Sequence, residues 1–386
     1  MTDAAVVKTK KRLTSKFHEG DYWLIAGTLL LTLFGLVMVF SASYYTGLSK
    51  YGDPFYYLKD DIKWMLAGWL VFGFFAVVDY HVWKKFAWPI LIVGFILLGM
   101  IFLPKNLNLT VTINNATRWL NFRFFTVMPG EVIKFCFIIF FASYYSKHYK
   151  EINHPLWGIG IPLGITVIAF VLIYKQPNLS TAGIVVLLSL ALMIVNGISW
   201  WWVGGAAGLV VLGGGAFVLF KGADYMLSRI DNFWDPFADS LGKGYQVCQG
   251  ILAFGSGGVT GLGLGKSIQK ALYLPEPMND FILPIIGEEL GFIGVMCLVA
   301  VYVFLLWRLF SVGMHAKDRF GMLLASGVAI HIGLQVIINI AVVTASFPPT
   351  GVVLPLISLG GTATLLIMGE LGIAYNVSRQ TKVIQE

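Results

Sequence analysis

Apolar residues run along this chain in long stretches, separated by short polar clusters. A bilayer-crossing helix needs roughly 17–25 predominantly apolar residues. About ten stretches qualify: 22–43, 64–80, 86–103, 130–146, 156–174, 181–197, 202–220, 284–308, 321–344 and 352–376. The second and fourth are short and need support from their neighbours. The pattern predicts an all-α polytopic membrane protein of about ten transmembrane helices, with 1–386 as one integral membrane domain and 1–21 as a basic tail. An even number of spans puts both termini on one side. Two intervals break the rhythm, 104–129 and 221–283, where connections are usually about 4–6 residues. The second carries Trp234, Phe237, Tyr245, Phe254 and many glycines. It is expected to be an ordered extracytoplasmic loop between the seventh and eighth spans, folded partly into the membrane surface.

Composition agrees. Of 386 residues, 57% are hydrophobic and 12% charged, against roughly 25% charged in soluble domains. So much apolar surface does not fit one soluble core, and disorder, a disulfide scaffold and nucleic-acid binding fit poorly. The net charge of +7 is read as topology and anionic-lipid signal. Lys8, Lys10, Lys11, Arg12 and Lys16 precede the first span, and Lys84, Lys85, Lys147 and Lys150 fall on the same side. Their density places both termini in the cytoplasm. The first apolar stretch is too long for a signal-peptide core and is read as a retained span. Cys136, Cys248 and Cys297 are too few and too scattered for a disulfide framework or zinc site. Trp200, Trp201 and Trp202 sit at an expected interface.

The candidate chemistry lies in the few charges. Glu131 and Lys134, three apart, share a helix face; at that depth they are a structural pair or bind an anionic headgroup. Glu288 and Glu289 open a span, where the helix dipole stabilises carboxylates. His331, Gln335 and Asn339 recur at helical spacing and suit interhelical hydrogen bonds, while Glu370 has no evident partner. Gly261 to Ser267 resembles a phosphate loop, but Thr260 occupies a required glycine position; a tight turn is the better reading. Gly204 and Gly208 form a GxxxG packing motif. Asp280 follows two prolines just before a span. Rigid backbone and partial burial suit a general base; a helix cap is the competing reading. No histidine falls in an outer loop, so a histidine triad or histidine-ligated metal is not expected there.

At Asp280 the sequence resembles the shape, elongation, division and sporulation family typified by FtsW, RodA and SpoVE. The strongest block is Trp234-Asp235-Pro236, Asp239, Gly242, Gly244-Tyr245-Gln246, Gln249, Leu274-Pro275-Glu276, Asp280-Phe281 and Gly287-Glu288-Glu289-Leu290-Gly291. Gly35 to Ser43, Arg118-Trp119, Pro129, Gln176-Pro177 and Pro349-Thr350-Gly351 support it, the first looking more like FtsW or SpoVE than RodA. The resemblance implies a peptidoglycan glycosyltransferase of the bacterial cytoplasmic membrane that polymerises lipid II on the outer face. It also implies a class B penicillin-binding protein and other divisome or elongasome proteins as partners. Asp280 becomes the catalytic residue, and Arg118, Glu131, Lys134, Gln176 and Glu276 the substrate-binding set; a divalent cation, Mg²⁺ or Mn²⁺, could assist. A lipid-linked precursor transporter and a non-catalytic scaffold are the alternatives. The chain departs from the family pattern at Met278 and Asn279, at Asn178, at Met128 and Gly130, and at Leu359, Thr362 and Ala363.

Overall fold

The computed structural model describes residues 19–103, 109–113, 116–123, 125–202, 204–205, 208, 236–242 and 244–381. Their helices are α1 (Tyr22–Tyr51), α2 (Tyr56–Val77), α3 (His81–Met100), α4 (Pro129–Lys147), α5 (Ile161–Tyr174, entered through a π-helical turn at Pro155–Gly160), α6 (Leu179–Val195), α7 (Tyr245–Gly257), α8 (Ile282–Met314), α9 (Arg319–Val343) and α10 (Gly361–Ser378). Five of the described helical stretches are long and apolar enough to cross a membrane: α1, α3, α8, α9 and Pro155–Tyr174. The chain is a multi-pass membrane protein. The expected span 202–220 lies almost wholly outside the described residues.

The helices begin and end for local reasons. Asp21 caps α1 by accepting from the amides of Trp23 and Leu24, and Gly52, at φ 68°, closes it through its N–H to the Leu48 carbonyl. No breaker intervenes, so α1 runs past the apolar stretch that ended at 43. Arg308 of α8 forks onto Asp21 Oδ2 at 2.9 and 2.6 Å, joining the two helix ends. α4 is buried on nearly every side, with Phe137, Phe140, Phe141 and Tyr145 against the core. A helix apolar all round belongs in the interior, and α4 packs against α3, α6, α9 and α10.

Two expectations change. The interval 104–129 contains a small antiparallel sheet of β1 (Thr110–Ile113), β2 (Ala116–Asn121) and β3 (Thr126–Val127), in that order. The fold is therefore helical with a surface sheet. The stretch 352–376 is helical only from Gly361. Residues 352–359 are apolar and buried but extended or turned, with Gly351 at φ 70° and Pro355 within. Non-helical backbone at such depth is tolerated when protein satisfies it. Here Asn339 Nδ2 donates to the Val352 carbonyl at 2.7 Å, Tyr302 to that of Pro355 at 2.5 Å, and the Leu354 amide to Ser358 Oγ at 2.9 Å.

The glycine run is a tight turn, as the sequence suggests. The amides of Leu262 and Gly263 donate to the carbonyls of Glu288 and Glu289, each at 2.9 Å. α8 breaks at Gly291, with φ 68° and ψ −171°. A Cβ there would come within 2.3 Å of the Gly261 amide and 2.5 Å of the Val259 carbonyl. Gly291→Ala is expected to cost at least the 1–3 kcal/mol typical of a strained backbone site, read as a lower thermal midpoint in detergent.

Candidate active site

A cavity of about 520 Å³ opens at the end of the bundle where α4 begins. It is lined by Arg118 and Trp119 from β2, Glu131 and Lys134 from α4, Gln246 from α7, Glu276 and Asp280 from the loop before α8, and Gly351 to Val353 from the extended segment. Arg118 and Val353, 235 positions apart in sequence, thus face one volume.

Glu131 and Lys134 form the expected pair, at 2.7 Å, with Lys134 only 1% exposed and Glu131 11%. Pro129 sets the first turn of α4, where its missing N–H has no partner to lose. Gly130 lets α6 approach, since a Cβ would lie 3.0 Å from Thr181 Cγ2. Lys134 therefore sits one turn inside the helix, at the cavity floor.

Asp280 lies in the loop before α8, partly exposed at the cavity wall. The capping reading fails: Phe281 holds the N-cap position, with no side-chain cap hydrogen bond. The loop is held instead through backbone atoms. Asn339 Nδ2 donates to the Asp280 carbonyl at 2.8 Å, and the Leu359 amide to that of Met278 at 2.9 Å. The carboxylate lies against the Gly351 turn, where a Cβ would come 3.7 Å from Oδ2. Burial pushes this carboxyl up to about 6; its backbone hydrogen bond opposes the rise, and the charge of Glu276 adds to it. Glu276 is held by Asn279 Nδ2 at 2.8 Å and by Lys50 at 4.0 Å.

Arg118 docks on the turn before α6, donating from Nε to the Gln176 carbonyl at 3.4 Å and from Nη2 to that of Pro177. Gln176 itself does not reach the cavity. It is buried, with Nε2 donating to the Leu98 carbonyl at 3.2 Å, so it supports the turn on which Arg118 rests. Gln246 lines the cavity and donates to the Pro275 carbonyl at 3.3 Å. Gln249 lies half-buried on the same helix, α7. The Pro236 carbonyl accepts from the Cys248 thiol at 3.1 Å, and Asp239 sits beside Gly242; neither lines the cavity. Trp234 and Asp235 lie outside the described residues.

Gly287, Glu288 and Glu289 are buried away from the cavity. Glu288 accepts from the Ile268 amide at 3.0 Å, the Gln269 amide at 3.2 Å, Ser256 at 3.1 Å and the Ser267 hydroxyl. Glu289 pairs with Lys270 at 2.7 Å and accepts from Ser41 at 2.7 Å. These carboxylates staple the long loop to α1 and α8, so specific partners rather than a helix dipole explain them. Ser41 falls within the Gly35–Ser43 block, but nothing in the sequence joined it to Lys270. Glu370 also has a partner, His331 Nδ1, at 2.8 Å. Sequence reasoning missed Asp60 and Trp64 of α2 as cavity residues; a carboxylate beside a short span was the available signal.

The described residues contain no group of three His, Cys, Asp or Glu side chains able to hold a metal. What the cavity offers is a carboxyl poised near neutrality, two cations at its floor and wall, and room for a sugar-sized ligand.

Residues 22–383 match the family model described as cell cycle protein, which covers FtsW, RodA and SpoVE. Stage V sporulation protein E of Bacillus subtilis is 35% identical over 371 residues, 96% of this chain and 100% of that protein. A probable peptidoglycan glycosyltransferase FtsW of Geobacter is 34% identical over 362 residues, covering 94% and 97%. Among solved structures, a chain of a peptidoglycan synthase complex aligns with a TM-score of 0.76 at 23% identity, over 95% of this chain and 99% of that one. RodA of Thermus thermophilus aligns at 0.67 and 23%, over 95% and 98%. At such identities the structures speak for the fold.

Proposed function

The chain belongs to the FtsW, RodA and SpoVE family of cell cycle proteins, and we propose that it is a peptidoglycan glycosyltransferase whose reaction takes place in the cavity at Asp280. Its relatives at 34% identity carry that activity in their names. The single observation that carries the assignment to this cavity is a carboxyl pushed up to about 6 in the same volume as Lys134 and Arg118.

Lipid II carries a disaccharide on a lipid pyrophosphate. In polymerisation a sugar hydroxyl of one molecule attacks the anomeric carbon of another. The new glycosidic C–O bond forms as the bond to pyrophosphate breaks. Asp280 takes the hydroxyl proton, and the electron pair leaves on the pyrophosphate oxygen. Lys134 and Arg118 offset the charge that develops there, in a poorly screened site where such stabilisation counts most. Glu131 orients Lys134. The cavity faces the outside and both termini the cytoplasm, in keeping with the basic tail. A class B penicillin-binding protein is the proposed partner; one structural neighbour comes from a peptidoglycan synthase complex.

The test is purified protein with lipid II, read by gel separation of glycan products. Polymer is expected. Movement of lipid II across liposomes without polymer would favour a transporter instead.

A further inference from the structure

A second cavity, of about 570 Å³, lies near the other end of α4. Lys134 and Lys147 are 13 residues apart on this helix, roughly 20 Å along its axis. Lys84 and Lys85 reach this cavity from the first turn of α3, and Lys147 from the last turn of α4. Among the described residues, no Asp or Glu makes an ion pair with any of the three. Lys84 leans over the Phe320 ring at 5.5 Å. Glu151, exposed, is the nearest acid in sequence to Lys147.

The rest of the wall is mostly aromatic and apolar, with Ser143 and His148 as its other polar side chains. Trp88 and Trp157 are 55% and 43% exposed, and the Tyr144 hydroxyl pins Trp157 by donating to its carbonyl at 2.6 Å. Indole rings favour the headgroup depth of a bilayer. A free phosphate would use the lysines and leave the aromatic wall idle. A phospholipid would use both.

We propose that this cavity binds the headgroup of an anionic phospholipid, with its phosphate on Lys84, Lys85 and Lys147 and its first acyl methylenes against Trp88 and Phe140. The site is separate from the cavity at Asp280. Basic pockets between helices near a membrane surface take such headgroups.

The test uses full-length protein, delipidated in detergent and titrated with phosphatidylglycerol, phosphatidylcholine or inorganic phosphate, with adducts counted by native mass spectrometry. Phosphatidylglycerol should be retained in preference to the other two. Lys84→Gln, Lys85→Gln and Lys147→Gln together should weaken retention by roughly fivefold per lysine removed. Lys50→Gln, Lys59→Gln and Lys63→Gln, near the opposite end, should leave it unchanged. If the first triple variant fails to fold, the Lys85→Gln and Lys147→Gln pair carries the test, at two such steps. Equal retention by parent and variant overturns the proposal. So does equal loss in the control triple, and so does phosphate displacing the lipid at matched concentration, which would make this a site for soluble phosphate.

Discussion

Replacing Asp280 with asparagine is expected to lower lipid II polymerisation by about 10²–10⁴-fold, the usual contribution of a general base, with little change in thermal midpoint. The side chain caps no helix, and the loop is fastened through the carbonyls of Asp280 and Met278, which asparagine retains. The sign of the electrostatic change also favours folding. Burial raises this carboxyl from 3.8 to about 6, so ionising it in the folded state removes stability as pH rises through that interval. Asparagine avoids the penalty. Product gels and a melting curve on the same preparation check both halves. Undiminished polymer from the variant would remove Asp280 as the base.

The second large effect is at Lys134. Removing one member of a buried ion pair typically costs about 3–5 kcal/mol, because the other charge is left uncompensated. Lys134→Met should therefore lower the thermal midpoint as well as turnover, since Glu131 is only 11% exposed. A double variant separates the causes. Glu131→Gln with Lys134→Met has no buried charge left at this pair and should recover the midpoint while remaining unable to process lipid II. Recovery of both would make the pair purely structural and move the stabilising cation elsewhere.

Hydropathy located the helices because the membrane imposes one pattern on all of them. It failed where apolar residues serve another purpose. Val352 to Ile357 are as apolar as a span, yet they form buried irregular backbone satisfied by Asn339, Tyr302 and Ser358. Nor could it register the sheet, although Thr110 to Ile113 is rich in β-branched residues, a strand signal. For the site, Glu131 and Lys134 were legible from helical spacing and Asp280 from its setting. Arg118 and Glu276 entered only through family resemblance, and Gln246 only as part of its motif block, because contacts across such separations leave no local signal. Gln176 shows the limit of that resemblance: it marks the right turn, but its side chain faces Leu98.

The central claim is that the Asp280 carboxylate takes the proton from the attacking hydroxyl. The most direct test is the polymerisation rate of the purified protein from about pH 5 to about pH 8, with lipid II well below saturation so that the profile follows kcat/KM and reports the free enzyme. A base works only when deprotonated. The rate should be level at the upper end and fall as pH drops through about 6, and the residual rate of Asp280→Asn should lack that step. A parent rate that stays level through the window, or the same step in the variant, would contradict the claim.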